Sequence, residues 1–215
     1  MVVVADRDAT GARATRDEIV LSGGGGIDVT CDVSDSKAVA RLIEHTRATY
    51  RRIDILVHAA GICPRKPFLD MTDEDWRSVM NVNLDGTFYI TRDVAKVMAE
   101  QRAGTMILIT SDRGVHGSID YAHYAASKGG MIALTKSLAL TMGKFGVTVN
   151  AVNPGLTDTP LGRAANPQWQ EKMAIDVLGK ATEPDEVAAM VLFLAGTGGA
   201  FMTGQIVSAR MRYGA

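Results

Sequence analysis

The stretch "SDRGVHGSIDYAHYAASKGG", residues 111–130, joins an apolar run to a long apolar helix. The run before it, "GTMILITS" at 104–111, has the continuous apolar character of a strand buried on both faces of a parallel sheet. Residues 121–145 have the length and composition of one helix, and "VTVNAVNPG" at 147–155 predicts the next strand. Strand, loop, helix and strand in this order form the unit from which parallel α/β sheets are built.

The same alternation extends along the whole chain. Strands are predicted at 2–5, 27–33, 53–61, 104–111, 147–155 and 204–211, and helices at 10–21, 34–50, 72–101, 121–145 and 183–196. We therefore predict one domain over residues 1–215, an α/β, Rossmann-like, doubly wound and mostly parallel sheet with helices on both faces.

Composition excludes several classes of protein. The 215 residues carry a formal net charge of −1, which gives no basic surface for nucleic acid or an acidic membrane. No apolar run approaches the ~18 residues that span a bilayer, and the first residues lack the pattern of a signal peptide. Cys31 and Cys63 predict two buried free thiols, and the histidines show no metal-ligand spacing. We predict a cytoplasmic protein with no metal, nucleic-acid or membrane partner.

Three side chains in and around the opening stretch predict acid–base chemistry. Ser111 ends a predicted strand, and Tyr124 and Lys128 are four residues apart on a predicted helix. Residues at i and i+4 share a helix face, and ligands of open α/β sheets bind at the carboxyl ends of the strands. A tyrosine normally titrates near pH ~10, and a neighbouring ammonium lowers that pKa. Tyr124 is therefore a candidate general acid or base, with Ser111 able to hydrogen-bond a substrate oxygen.

Further motifs occur in a fixed order around this centre. They are "CDVSD" with Asp32 and Val33, "HAAG" with Ala60 and Gly61, "NVNLDGTF" with Asn83, "YAASK" with Tyr124 and Lys128, and "VNPGLTDT" with Pro154, Gly155, Thr157 and Thr159. Together they resemble the short-chain dehydrogenase/reductase family over nearly the whole chain.

The resemblance implies a role for each motif. Tyr124 would exchange a proton with the substrate oxygen, and Lys128 would lower its pKa and bind the nicotinamide ribose. Ser111 would orient the substrate oxygen, and Asn83 would hold a water in a proton relay. Ala60 and Gly61 would allow the backbone to approach the cofactor closely. The 154–159 turn would flank the nicotinamide, and Asp32 and Val33 would lie near the adenine.

Blander alternatives stay open for some of these residues. Asn83 alone could satisfy buried backbone, and Asp32 could start a helix without any cofactor contact. Tyr121 has no lysine four residues later, which favours a packing role. The "GGGG" run at 23–26 joins a helix to a strand, so it predicts a plain turn rather than a phosphate loop.

The beginning of the sequence departs from the family. Asp6 ends the strand "MVVVAD", where an acidic residue would bind the adenosine ribose, but the glycine fingerprint that precedes such a residue by about 20 positions has no room. We therefore expect the usual first βα unit and the glycine-rich loop to be missing. "HAAG" at 58–61 also replaces the family's usual "NNAG", which should loosen local hydrogen bonding.

We predict an NAD(H)-dependent oxidoreductase that interconverts a secondary alcohol and a ketone. Asp6 favours NAD over NADP because its carboxylate would repel a 2′-phosphate. The alternatives are a cofactor-free, non-catalytic relative that serves as a scaffold, and, as a more specific activity, a 3-oxoacyl-thioester reductase. The expected partners are a small alcohol or ketone and further copies of the chain in a homodimer or homotetramer.

Overall fold

The computed structural model describes residues 1–174 and 176–209, and strands alternate with helices throughout them. The strands are β1 Val2–Asp6, β2 Gly26–Thr30, β3 Ile55–His58, β4 Gly104–Ile109, β5 Val147–Asn153 and β6 Ile206–Ser208. The α-helices are α1 Ala9–Leu21, α2 Ser36–Tyr50, α3 Asp73–Met80, α4 Gly86–Gln101, α5 Arg113–His116, α6 Ala122–Met142, α7 Pro160–Ala164, α8 Trp169–Ala174 and α9 Pro184–Ala195. The α/β prediction is confirmed.

The strands form two separate parallel sheets. β1 pairs with β2, and β3, β4, β5 and β6 form a four-stranded sheet in that order. The sequence predicts that the first βα unit of the fold is missing. The described chain begins with β1 and α1, so the structure does not confirm that absence. The predicted last strand, 204–211, is shorter, and its final two residues lie outside the described residues.

Local signals explain where the helices begin. Thr72 opens α3 with a capping box, in which its hydroxyl accepts the Asp75 amide and the Asp75 carboxylate accepts the Thr72 amide. Asp35 caps α2, because its carboxylate accepts the Lys37 amide. The predicted helix 72–101 is divided by a π-helical turn at Asn81–Asp85. Such turns project side chains at functional positions, and this one carries Asn83.

The inner strand β4 of the four-stranded sheet is buried on both faces. Met106, Ile107 and Leu108 are consecutive in β4, and each is 0% exposed. On one face Met106 packs with residues of α2 and α4, and on the other Ile107 packs with Leu194 of α9. Burying a side chain of this size contributes about 2 kcal/mol. This double burial explains the continuous apolar run that predicts β4.

The two-stranded sheet is less enclosed. Val3 and Val29 are half-buried and pack on the same core cluster as Leu56 of β3. On β3, an edge strand of the four-stranded sheet, Leu56 faces this core cluster, whereas Ile55 and Val57 lie on the other face of the strand and are 48% and 46% exposed. Within the described residues, no helix combines the length and apolar character needed to cross a bilayer.

Candidate active site

A cavity of about 1020 Å³ extends from the carboxyl ends of the strands of the large sheet along the open face of β3, at Ile55 and Val57, and along α9. Ser111 from the end of β4 and both Tyr124 and Lys128 from α6 line it together. The predicted cofactor residues that share this cavity are Gly61, Pro154, Gly155, Thr157 and Thr159. Asn83 lies behind its wall, while Asp6, Asp32, Val33 and Ala60 are not among its lining residues.

Lys128 is a buried cation beside the cavity. Its side chain lies on the inner face of α6, and its Nζ donates a hydrogen bond of 2.7 Å to the Ile109 carbonyl oxygen at the end of β4. Burial lowers the pKa of Lys128 to about 8. The Nζ lies 5.7 Å from the centroid of the Tyr124 ring.

Tyr124 is a neutral phenol in this arrangement. Burial, with a smaller contribution from the nearby Cys63, raises the pKa of its hydroxyl to about 12, while a hydrogen bond with Ser111 and the charge of Arg113 act in the opposite direction. The sequence predicts a lowered pKa, and that prediction is wrong for the chain by itself. Desolvation outweighs the nearby charges, and the Lys128 ammonium is directed to the Ile109 carbonyl. Tyr124 thus carries the proton that a general acid must donate.

Asn83 is completely buried in the π-helical turn. Its Oδ1 accepts the Ile62 amide at 2.8 Å, and its Nδ2 donates to the Ile62 carbonyl at 2.9 Å and to the Ser127 hydroxyl at 3.1 Å. Asn83 thus satisfies buried backbone groups of Ile62, which is the alternative role considered for it from the sequence. The same bonds hold the loop after β3 against α6. Both amide hydrogens are used, so a water could bind only through acceptor lone pairs.

Three glycines bring the backbone close to the site. A Cβ on Gly61 would lie 3.2 Å from the Asn83 Oδ1, and a Cβ on Gly114 would lie 2.7 Å from the Lys128 carbonyl carbon. Gly155 has φ +70°, which an L side chain rarely adopts. Sequence reasoning missed Gly114, whose lack of a side chain lets α5 pack on the catalytic helix. A lone glycine directly after an arginine carries no local signal of that contact.

His58 stands where the family usually has asparagine. It is buried, and desolvation together with the charge of Lys128 lowers its pKa to about 4. Its Nε2 has no hydrogen-bond partner among the described residues, in line with the expected loosening of hydrogen bonds at "HAAG". His58 is therefore neutral at physiological pH.

The predicted adenosine contacts lie outside the cavity, and their carboxylates bond to neighbouring residues of their own loops. Asp6 ends β1, and its Oδ1 accepts the Asp8 amide at 2.9 Å. Asp32 follows β2, and its Oδ1 accepts both the amide and the hydroxyl of Ser34, which lowers its pKa. The glycines after α1 form a turn into β2, as expected. In residues 1–174 and 176–209, no glycine-rich turn leads from a strand into a helix.

The residues fit one half of a nicotinamide dinucleotide. Gly61, Lys128 and the 154–159 turn enclose a space with room for a ring and a ribose. The acidic residues for the adenosine end lie on the small sheet, and the phosphates have no cradle in the described part of the chain. No cluster of metal-ligating side chains occurs in that part either.

A parallel sheet with a tyrosine, a lysine and a serine at its carboxyl edge defines a Rossmann-like oxidoreductase. The comparisons with known proteins agree with that class. A family model described as enoyl-(acyl carrier protein) reductase matches residues 1–209. The chain belongs to the short-chain dehydrogenase/reductase family, and the prediction of an oxidoreductase acting on alcohol and ketone groups is confirmed at that level.

Individual relatives cover most of the chain. A 3-oxoacyl-[acyl-carrier-protein] reductase of Synechocystis sp. is 38% identical over 206 residues, 95% of this chain and 83% of that protein. An acetoacetyl-CoA reductase of Allochromatium vinosum is 38% identical over 176 residues, 81% of this chain and 72% of that protein. A crystal structure of a variant of actinorhodin polyketide ketoreductase with NADPH has a TM-score of 0.93 and 32% identity, and the match covers 97% of this chain and 85% of that one. The relatives of this chain use nicotinamide cofactors, and the ketoreductase structure contains NADPH. They do not decide between NAD and NADP for this chain.

Proposed function

We propose that this protein reduces the ketone of a 3-oxoacyl thioester to a secondary alcohol, and catalyses the reverse oxidation. The observation that carries the proposal is a partly buried, protonated Tyr124 that shares a cavity with the Ser111 hydroxyl. Two hydroxyl donors at one wall suit a substrate that presents a single oxygen, as a ketone does. The names of the relatives from Synechocystis and Allochromatium vinosum support the thioester class.

We propose the following roles for the catalytic residues. Ser111 donates a hydrogen bond to the carbonyl oxygen, and Tyr124 donates its proton to the same oxygen. Lys128 stabilises the phenolate that remains and binds ribose hydroxyls of the cofactor. Asn83 holds the Ile62 loop and accepts from a water on the proton path. The nicotinamide, when bound, supplies hydride to the carbonyl carbon.

Tyr124→Phe tests this assignment with acetoacetyl-CoA as substrate and reduced nicotinamide absorbance as readout. Loss of a general acid lowers kcat by about 10²- to 10⁴-fold, so we expect that loss here. Tyr89→Phe, a partly buried tyrosine in α4, is the matched control and should retain activity. Undiminished turnover in Tyr124→Phe would refute the role. Faster reduction of crotonyl-CoA than of acetoacetyl-CoA would favour an enoyl substrate instead.

We infer that the cofactor is NAD rather than NADP. The Asp6 carboxylate at the end of β1 suits the ribose hydroxyls and repels a 2′-phosphate, although Arg7 beside it reduces this repulsion. NADH should bind more tightly than NADPH, and Asp6→Asn should remove most of the difference. Ala60, Asp32 and Val33 complete the proposed cofactor set. Fluorescence titration with each nucleotide measures the dissociation constants, and tighter binding of NADPH would reverse the inference.

We further infer that the family fold places another strand between β1 and β3, which each have an edge without a paired strand among the described residues. Within the described residues β1 pairs with β2 alone and β3 with β4 alone, and the exposed Ile55 and Val57 lie on β3. Because the described residues contain no glycine-rich phosphate loop, we expect residues 1–215 by themselves to bind the cofactor weakly. No binding at saturating NADH would refute turnover by the chain and support the scaffold alternative.

We also propose that the protein forms a homo-oligomer and is located in the cytoplasm. We propose a homodimer or homotetramer formed through α6, in which Leu140, 87% accessible in the single chain, would be covered. Light scattering after gel filtration would give the oligomeric state, and a monomer at assay concentration would contradict it. The reducing environment of the cytoplasm suits the free, buried Cys31 and Cys63.

A further inference from the structure

Arg113 joins three parts of the cavity wall. Its Nη1 donates to the Cys63 Sγ at 3.2 Å, in the loop after β3. Its Nη2 donates to the Ala165 carbonyl and to the Asn166 Oδ1, each at 2.9 Å, in the segment after α7. Its guanidinium carbon lies 3.8 Å from the centroid of the Tyr121 ring. One side chain therefore holds together elements that are distant in sequence.

The Ala165 carbonyl is the point on which these contacts converge. It ends α7 and accepts a second hydrogen bond, of 2.7 Å, from the Tyr121 hydroxyl. Cys63, Tyr121 and Ala165 also form a small buried cluster, and Tyr124 packs against it. The segment 160–174, which contains α7 and α8, is thereby fastened next to the catalytic tyrosine.

The charge pattern distinguishes Arg113 from a nearby arginine. No carboxylate lies within ion-pair distance of Arg113 among the described residues, and its acceptors are neutral. Arg163 instead makes two bonds of 2.6 Å to Asp158 at the base of α7, at an exposed site. Arg163 thus acts locally around α7, whereas Arg113 ties the segment to the body of the protein.

We propose that Arg113 is a positioning residue that holds the segment 160–174 against the wall carrying Tyr124 and so forms the mouth through which substrate enters. The proposal rests on the proposed function, because the mouth leads to that site. Leu161, Gly162, Ala165 and Asn166 from this segment line the same cavity as Tyr124. Their distance from the tyrosine decides how a substrate is held for proton transfer.

Arg113 also acts on Tyr124 through its charge. The guanidinium lowers the pKa of the Tyr124 hydroxyl against the larger effect of burial. Removing the charge should therefore move the basic limb of the pH–rate profile to higher pH. A residue that only stabilises the fold would leave that limb unchanged.

Four variants test the proposal with acetoacetyl-CoA. Hydrogen bonds from a charged donor are worth more than neutral ones, so Arg113→Met should raise KM by about tenfold or more and shift the pH profile. Arg113→Lys keeps the charge and should restore the profile but only part of KM. Tyr121→Phe should raise KM less, and its effect should not add to that of Arg113→Met. Arg163→Met is the matched control within the segment and should stay within about twofold of the wild type.

Limited trypsin digestion without substrate provides an independent measurement. Lys172 donates to the Asn166 Oδ1 at 2.8 Å, so its cleavage reports whether the segment is held. Arg113→Met should be cut after Lys172 several-fold faster than Arg163→Met. Absence of turnover in the wild type would overturn the proposed function. Trypsin cleavage after Lys172 would still measure how firmly Arg113 holds the segment 160–174. The proposal would be overturned if trypsin cut Arg113→Met after Lys172 at the same rate as the wild type. An unchanged KM and an unchanged pH profile in Arg113→Met would also overturn it.

Discussion

The two sheets of this protein differ in how completely they are packed. β4 of the four-stranded sheet has both faces covered, and Ile107 and Leu108 are inaccessible to solvent. β1 of the two-stranded sheet leaves Val2 44% exposed and relies on half-buried Val3 for its contact with the core. A two-stranded sheet by itself is marginally stable in water.

The proposed acid–base residues and the proposed adenosine contacts lie on different sheets. The acid–base residues Ser111, Tyr124 and Lys128 lie at the edge of the well-packed sheet, so their geometry is established without ligand. The proposed adenosine contacts, Asp6 and Asp32, lie on the less enclosed sheet. The proposed catalytic residues and the proposed adenosine contacts therefore lie on parts of the protein that are packed to different degrees. Three measurements test this contrast.

Hydrogen exchange should show the largest difference between the sheets. Amides of β4 and β5 should exchange only on global unfolding, at about 5 kcal/mol or more, whereas β1 amides should exchange through local opening at much lower free energy. Mass spectrometry of peptides from 104–109 and 2–6 measures both. Equal protection of the two peptides would show that the sheets unfold as one unit.

Core truncation should give the next largest effect. Met106→Ala removes an inaccessible side chain, and such a change costs about 2–5 kcal/mol of the free energy of unfolding. Val3→Ala removes less volume at a half-buried position and should cost below about 1 kcal/mol. Urea denaturation measures both variants under the same conditions. Similar costs for the two substitutions would contradict the difference in packing.

His58 should make the large sheet sensitive to acid. Its pKa is lowered from 6.5 to about 4 in the folded protein, so the unfolded chain binds the proton first as pH falls. Stability is complete above about pH 6.5 and is lost toward pH 4, with a loss of about 2 kcal/mol on going from about pH 7 to about pH 5. Denaturation of wild type and His58→Gln at both pH values isolates this contribution. An equal acid loss in the variant would assign the effect to other groups.

Local sequence signals predict the structure well where neighbouring residues decide it. The capping box at Thr72 and the common face of Tyr124 and Lys128 follow from helix geometry over three or four positions. The continuous apolar run of β4 follows from burial on both faces. The π-helical turn at Asn81–Asp85 escapes such reasoning, because it interrupts a pattern that is helical on both sides.

Sequence alone establishes the α/β class, the order of the six strands and of the longer helices between them, and the presence of the tyrosine, lysine and serine at one edge, but not the short helices α5, α7 and α8. These depend on hydrophobic periodicity and on contacts between residues a few positions apart. The raised pKa of Tyr124, the contacts of Arg113 and the division into two sheets depend instead on the packed chain. Desolvation, long-range hydrogen bonds and strand pairing arise between residues tens of positions apart, which no local pattern encodes.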